Sequence, residues 1–396
     1  MITREHYIAK LREFYDSDLI KIITGIRRSG KSVILEQIMH EISTKNFPII
    51  YMNFEDQRIL NLAPDADSLI KYIEHHRKSG KNYLFFDEIQ EVTDWQNAVK
   101  TLRLDDNSIF ITGSNSRLLS KEFTTAFSGR YISLEVRPFV YKEILEYAKE
   151  LSYEPSTSDY LIWGGFPKRF EFNTKEATEQ YLIELNRSIV ENDLIVRYNI
   201  QNVDLFRRIT NYVLRSNSRI FSSRSIEAYL KSERISGSIN TIIKYLDYLE
   251  EAYIIERISP YSNRTKTELN YSFKLYDTDV SLNSIRVTDN RYDLTHNLEN
   301  IVYNELIYMG YHCEVYNDEK GEVDFIANKD NKKYYIQVAY SVAEDKAYER
   351  EISSLNSLDN SAQKLLITTD DIDYSTSTIK HLSLTDFLTL NSLDQP

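Results

Sequence analysis

Residues 19–42 read LIKIITGIRRSGKSVILEQIMHEI, and their order decides the fold. An apolar run from Leu19 to Thr24 leads into a loop with glycines at 25 and 30, and then into apolar residues at helical spacing. Strand, loop and helix follow one another around Gly25, Ile26, Arg27, Arg28, Ser29, Gly30, Lys31 and Ser32, which match G-x-x-x-x-G-K-[ST], the phosphate-binding loop. Two glycines let backbone N–H groups turn inward at the positive end of the following helix, so Gly25, Arg27, Arg28, Ser29 and Gly30 form an anion cradle. Lys31 is expected to reach the β- and γ-phosphate oxygens, and the Ser32 hydroxyl to ligate Mg2+. The expected ligand is ATP with Mg2+.

Working outward, short apolar runs recur at 48–54 (PIIYMNF), 83–88 (YLFFDE) and 108–114 (SIFITGS), separated by helical stretches. That alternation predicts a parallel sheet with crossover helices. The run at 83–88 ends in two carboxylates: Asp87 is expected in the Mg2+ shell, and Glu88 as the group that polarises the attacking water.

The 396 residues exceed one ordinary core, so several domains are expected. Hydrophobic residues at 42% and charged residues at 27% describe a folding chain. A net charge of −12 excludes an evenly basic coat, so any nucleic-acid contact needs a local patch. The single cysteine, Cys313, excludes an intrachain disulfide and any multi-cysteine metal site. The opening MITREHYIAK has no apolar core of a signal peptide, and no run of about eighteen apolar residues occurs. A cytoplasmic protein outside the membrane is the expectation.

Four segments are expected: a P-loop core at 1–137, a helical lid at 138–215, a winged helix at 216–275, and a smaller α/β domain at 276–396 that ends in a frayed NSLDQP tail. The winged-helix reading rests on helices over SRSIEAYLK and SINTIIKYLDYLEEA followed by the strand YIIERISPY. Between Arg207 and Leu275 twelve Lys or Arg stand against seven Asp or Glu, a local basic excess in an acidic chain. Arg224, Lys231 and Lys244 on the helices, with Arg264 and Lys266 in the wing, are the candidate DNA contacts. Winged helices also serve as protein-contact modules, and Asp247, Glu250 and Glu251 share the recognition helix.

The run FFDEIQEVTDWQNAVK with IFITGSNSRLLS and FSGRY resembles a bacterial and archaeal family of AAA+ ATPases that carry a C-terminal domain of unknown function. YLIWGGFP, KLYDTDVSL, EVDFIA and YIQVAYS resemble that family's later segments, so the likeness spans nearly the whole chain. It implies a homo-oligomeric ring with ATP between neighbours. It also implies that Ser114 or Asn115 is a γ-phosphate sensor, that Arg130 is an arginine finger reaching a neighbour's ATP, and that Pro167 of Gly164-Gly165-Phe166-Pro167 is a lid turn against adenine. A strand-end turn, a solvated surface arginine and a helix–helix turn are the structural alternatives.

In the last segment Glu305, Asp324 and Gln337 fall in the order of the restriction-endonuclease-like PD-(D/E)xK core, with Glu299 an alternative to Glu305. The expected E-x-K is Gln337-Val338-Ala339, so an amide replaces a carboxylate and the lysine is absent. A nuclease-like fold kept for binding is expected, acting with the winged helix on duplex or branched DNA. The alternatives are a slow regulatory switch that recruits a protein partner, and an ATP-gated nuclease.

Overall fold

The computed structural model describes residues 2–114, 118, 127–151, 154–258, 260–261, 272–287, 289, 291–318, 321–359 and 361–395. The chain divides into two compact units, Met1–Pro138 with Glu251–Tyr253, and Phe139–Glu250 with Ile254–Pro396.

The first unit runs α1 (Glu5–Arg12), β1 (Ile20–Thr24), α2 (Lys31–Ser43), β2 (Ile49–Asn53), α3 (Gln57–Leu62), α4 (Ala66–His76), β3 (Asn82–Asp87), α5 (Trp95–Leu102), β4 (Asn107–Thr112) and β5 (Tyr131–Glu135). Its sheet has the order β2-β3-β4-β1-β5, and every pairing is parallel. The three inner strands are buried along their whole length while β2 and β5 at the edges are partly exposed, which is why the inner ones read as unbroken apolar runs. Ile20, Ile22, Leu84, Phe86, Ile109 and Ile111 pack with side chains from α4 and α5 in one core. Because β1, β4 and β3 are parallel neighbours, Gly25, Gly113 and Asp87 leave the sheet at one edge, where the ligands of such sheets bind. The expected P-loop α/β architecture is the one observed.

The second unit begins with α6 (Tyr141–Leu151), α7 (Thr157–Trp163), α8 (Lys175–Ser188), which continues as a π-helical stretch over Ile189–Val196, and α9 (Val203–Leu214). It continues with β6 (Ile220–Ser222), α10 (Ser223–Ser232), α11 (Ile239–Glu251), β7 (Ile255–Ile258), β8 (Pro260–Tyr261), β9 (Ser272–Asp277) and α12 (Ser281–Ser284). The remainder is α13 (Leu294–Tyr308), β10 (His312–Asp318), β11 (Gly321–Lys329), β12 (Lys332–Val338), α14 (Asp345–Asn356), β13 (Gln363–Thr368), β14 (Ile379–Ser383) and α15 (Leu384–Thr389). Side-chain caps from Ser156, Thr174, Asn202 and Ser222 fix the starts of α7, α8, α9 and α10. Two sheets form: β6-β9-β7, antiparallel, and β14-β13-β12-β11-β10-β8, in which β10, β11 and β12 are antiparallel and β12, β13 and β14 parallel.

Strand β9 is tied down well beyond its ladder. Asn300 of α13 accepts from the Asp277 N–H and donates to the Asp277 carbonyl, each at 2.7 Å. Two residues on, Asp279 Oδ2 accepts the Gly165 N–H at 2.7 Å, and a Cβ at Gly164 would fall 1.9 Å from the Asp279 carboxylate. Both glycines of the GGFP segment are therefore needed where they stand. The expected frayed tail is corrected: Leu393 is buried with its N–H on the Tyr311 hydroxyl at 2.9 Å, and Asp394 pairs with Lys332 at 2.8 Å. A polar, charged composition concealed a docked leucine. Among the described residues no helix is long and apolar enough to cross a membrane.

Candidate functional site

The loop between β1 and α2 is shaped by three left-handed residues. Gly25 has φ +133°, and a Cβ there would lie 2.1 Å from the Val136 carbonyl oxygen; Arg28 has φ 66° and Gly30 φ 98°. Such alternation turns successive N–H groups toward one point. Helix α2 then starts at Lys31 with no capping side chain and no acid in its first turn, so its N-terminal donors are left for an anion. Among the described residues the buried Ser29 hydroxyl has no hydrogen-bond partner, a second unmet polar group in the cradle.

Lys31 is almost fully buried, and its Nζ donates to the Gly25 and Ile26 carbonyls at 3.0 and 3.1 Å. Arg27 pairs with Glu55 at 3.4 Å, and Arg28 is exposed. A cation that the motif does not contain braces the loop: Arg4, 2% exposed, donates to the Ser29 carbonyl at 2.7 Å and the Arg137 carbonyl at 3.0 Å. Sequence reading missed it because it precedes the first strand; its only signal was an arginine in an otherwise ordinary leader.

Asp87 closes β3 and is 1% exposed. Burial raises its carboxyl above the ordinary aspartate value, while hydrogen bonds from Thr112 and Ser32 pull it back. Tyr51 adds a third hydroxyl at 3.4 Å. Glu88 sits at φ 52°, with its N–H on Thr112 Oγ1 at 3.0 Å, so one threonine sets both acids. Its Oε2 accepts from Gln90 Nε2 at 2.5 Å and from the Ser114 N–H at 3.3 Å. No hydrogen bond to Glu88 Oε1 is made among the described residues. Gln90 fits beneath because residue 113 is glycine, where a Cβ would come 2.6 Å from Gln90 Oε1, itself buried without a partner. Gln90 is the second residue that sequence reading missed.

The donor set suits MgATP: an N–H cradle, an amine, a buried orphan hydroxyl, and a Ser32–Asp87 hydroxyl and carboxylate pair for a cation otherwise held by phosphate and water. Ser114 lies two residues past β4 and is buried; Asn115 lies outside the described residues. Arg130 is exposed just before β5. Pro167 belongs to the second unit, where it opens a short 3-10 turn, Pro167–Glu171.

Of the candidate DNA contacts, Arg224, Lys231 and Lys244 are exposed, and Arg264 and Lys266 lie outside the described residues. Lys231 pairs with Glu227 at 2.9 Å, and Lys244 lies over the Tyr248 ring. The basic excess counted along the chain shrinks in space. Arg207, Arg208, Arg219 and Lys274 pair with Glu191, Asp204, Asp293 and Glu299, acids that lie outside the counted window.

The Lys274 pairing belongs to a second cluster. Lys274 of β9 is buried, with its Nζ 2.7 Å from Glu299 of α13, and 3.0 and 3.4 Å from Asp324 and Glu322 of β11. Burial alone would lower the ammonium's pKa, but Asp324 and Glu299 reverse that and hold it above the ordinary lysine value. Burial, with the charge of Asp324, pushes Glu299 up to about 8. Gln337 of β12 faces the cluster, with its Nε2 donating to Glu351 of α14 at 2.8 Å. The E-x-K lysine is absent, as Ala339 requires, yet an amine reaches the cluster from another sheet and so stood outside the motif. One expectation is corrected. Glu305 does not join the cluster: its Oε1 accepts from the Tyr141 N–H at 3.0 Å and the Tyr160 hydroxyl at 3.3 Å.

A family profile described as an AAA domain matches residues 17–145; two profiles described as domains of unknown function, DUF8612 and DUF4143, match 154–290 and 295–387. An uncharacterized protein of Haemophilus influenzae is 34% identical over 379 residues, covering 93% of each chain. An uncharacterized protein of Methanocaldococcus jannaschii is 34% identical over 380 residues, covering 89% of this chain and 82% of its own. A solved Walker-type ATPase of Pyrococcus abyssi aligns with 72% of this chain and 96% of its own at 16% identity and a TM-score of 0.49.

Proposed function

Because the chain belongs to the family of AAA+ P-loop proteins that includes these Haemophilus influenzae and Methanocaldococcus jannaschii relatives, we propose that it is an ATPase hydrolysing MgATP at Gly25–Ser32. The carrying observation is the orientation of Glu88: Oε2 is held by Gln90 and Ser114 while Oε1 is left to take a proton from water. On arrival of the phosphates Lys31 exchanges two carbonyls of its own loop for phosphate oxygens, and the N–H groups of the cradle bind beside it. Ser32 and Asp87 would hold Mg2+, which when bound neutralises charge on the phosphates.

The proposal extends to a ring that acts on DNA. Arg130 is exposed and so free to reach a neighbour, and Arg224, Lys231 and Lys244 offer cations on α10 and α11. The nuclease-like reading of the last segment is supported by its order of helix, three antiparallel strands, helix and parallel strand. A second reading, a slow switch that recruits a protein partner, is favoured by the pairing of the basic residues with acids. Phosphate release measured without DNA, and with single strands, duplex and a branched junction, separates them. Stimulation of about tenfold or more by one DNA form supports the motor; a flat response supports the switch. Turnover by Lys31→Ala or Glu88→Gln equal to wild type removes the ATPase assignment itself.

A further inference from the structure

The resemblance of the last segment to the PD-(D/E)xK core implies a divalent metal held by side chains of α13, β11 and β12. The residues present do not fit one. Among the described residues no group of three or more His, Cys, Asp or Glu side chains is placed to hold a metal ion. We propose that Lys274 is the resident cation of this centre: its ammonium fills the place of the metal, so the domain keeps its buried carboxylates together without metal and does not cut phosphodiesters.

The hydrogen bonds leave little room for another cation. Asp324 gives Oδ1 to Lys274 and accepts the Val338 N–H on Oδ2 at 2.9 Å. Glu299 Oε1 takes both Lys274 and the Tyr276 hydroxyl, the latter at 2.6 Å. Gln337 commits its amide donor to Glu351, which Arg350 holds from the other side at 2.9 Å. Charge agrees with geometry. One ammonium balances one of the two buried carboxylates it touches, and the other, Glu299, is correspondingly hard to ionise, whereas a divalent ion would balance both. A metal-based centre would also want its amine at position 339, just past β12, but Ala339 packs in an apolar cluster with Val323, Leu355 and Leu366. A lysine at 339 would bury a second ammonium among hydrocarbon.

The inference also explains why the amine arrives from β9. Lys274 fastens the three-stranded sheet to the six-stranded one through a buried, multiply bonded ion cluster. Removing one partner of such a cluster strands the others, which then need a proton or a different cation.

The test needs neither ATP nor DNA, so it stands apart from the ATPase reading. The full chain is titrated with Mn2+ at pH 8, and free Mn2+ is followed by its paramagnetic resonance signal. Wild type and Asp324→Asn should take up the same Mn2+; Lys274→Met should bind one further ion at least tenfold more tightly than any wild-type site in this domain. Lys274→Met/Asp324→Asn should lose that ion. Wild-type uptake abolished by Asp324→Asn overturns the proposal, and so does a folded Lys274→Met that takes up no more than wild type. If Lys274→Met is unfolded without metal, refolding by 5 mM Mn2+, a concentration of about the millimolar order used by weak protein sites, supports the proposal, and failure to refold counts against it. Metal uptake by Lys274→Met that leaves DNA uncut is the expected result, because Gln337 and Ala339 still lack the carboxylate and amine of the E-x-K pattern.

Discussion

Replacing Gln90 by alanine removes one hydrogen bond from Glu88 and touches nothing in the phosphate cradle. The bond is short, at 2.5 Å, and its acceptor is a carboxylate, so its loss is worth about 1.5–3 kcal/mol. If that energy is spent on aiming Glu88, the turnover number falls roughly 10- to 160-fold, at 1.36 kcal/mol per decade. ATP affinity should stay within about threefold, because the substitution leaves Lys31 and the loop from Gly25 to Gly30 in place. Folding should suffer little, since the substitution also deletes the unpaired Gln90 Oε1. The assay is steady-state phosphate release beside equilibrium titration of a fluorescent ATP analogue, in wild-type and Glu88→Gln backgrounds. In the Glu88→Gln background Gln90→Ala should cost almost nothing more, because the two residues act as one unit. Turnover by Gln90→Ala within twofold of wild type, or an equal loss in both backgrounds, refutes the reasoning.

Three further outcomes follow from the same geometry. Arg4→Ala should lower stability by about 2–4 kcal/mol and weaken ATP binding by about tenfold, because it strands the Ser29 and Arg137 carbonyls; an unchanged melting temperature removes Arg4 as a brace. Arg130→Ala should keep ATP affinity and lose turnover by about a thousandfold if it is a finger acting between subunits; mixing it with Lys31→Ala should restore part of the activity, and normal turnover by the single variant reduces it to a surface arginine. Glu305 is buried and pushed up from 4.5 to about 7, so the folded chain holds the extra proton. Its contribution is therefore complete below about 4.5 and lost as pH rises to about 7, at a cost of about 3 kcal/mol. Urea unfolding from pH 5 to 8 should show Glu305→Gln gaining on wild type as pH rises, and parallel curves would falsify the assignment.

The sequence made the first unit legible because its signals are local. A motif of eight residues names the cradle, and inner strands that are buried on both faces are apolar through their middles. Arg4 and Gln90 escaped because their meaning lies in contacts: one reaches across to Ser29 and Arg137, and the other is aimed by a glycine at 113. The basic excess, correctly counted along the chain, overstates the charge in space for the same reason. A window along the chain includes Arg219 but not Asp293, its partner 74 residues on. Lys274 is the sharpest case, since a motif searched on β12 could not register an amine delivered by β9. Strand β14 is hard to read because IKHLS, apolar only at Ile379 and Leu382, lacks both an apolar run and a strict alternation.

Strand β9 has a mechanical consequence. Within six residues, Lys274 to Asp279, the strand and the turn after it engage Glu299 and Asp324 through Lys274, Asn300 through the Asp277 backbone, and Gly165 through Asp279. Ladder bonds to β6 and β7 add to the load it carries. A strand anchored to so many substructures cannot peel away from one while staying on the rest. The second unit should therefore melt in a single cooperative step, with the amides of β9 exchanging hydrogen only when the whole unit opens.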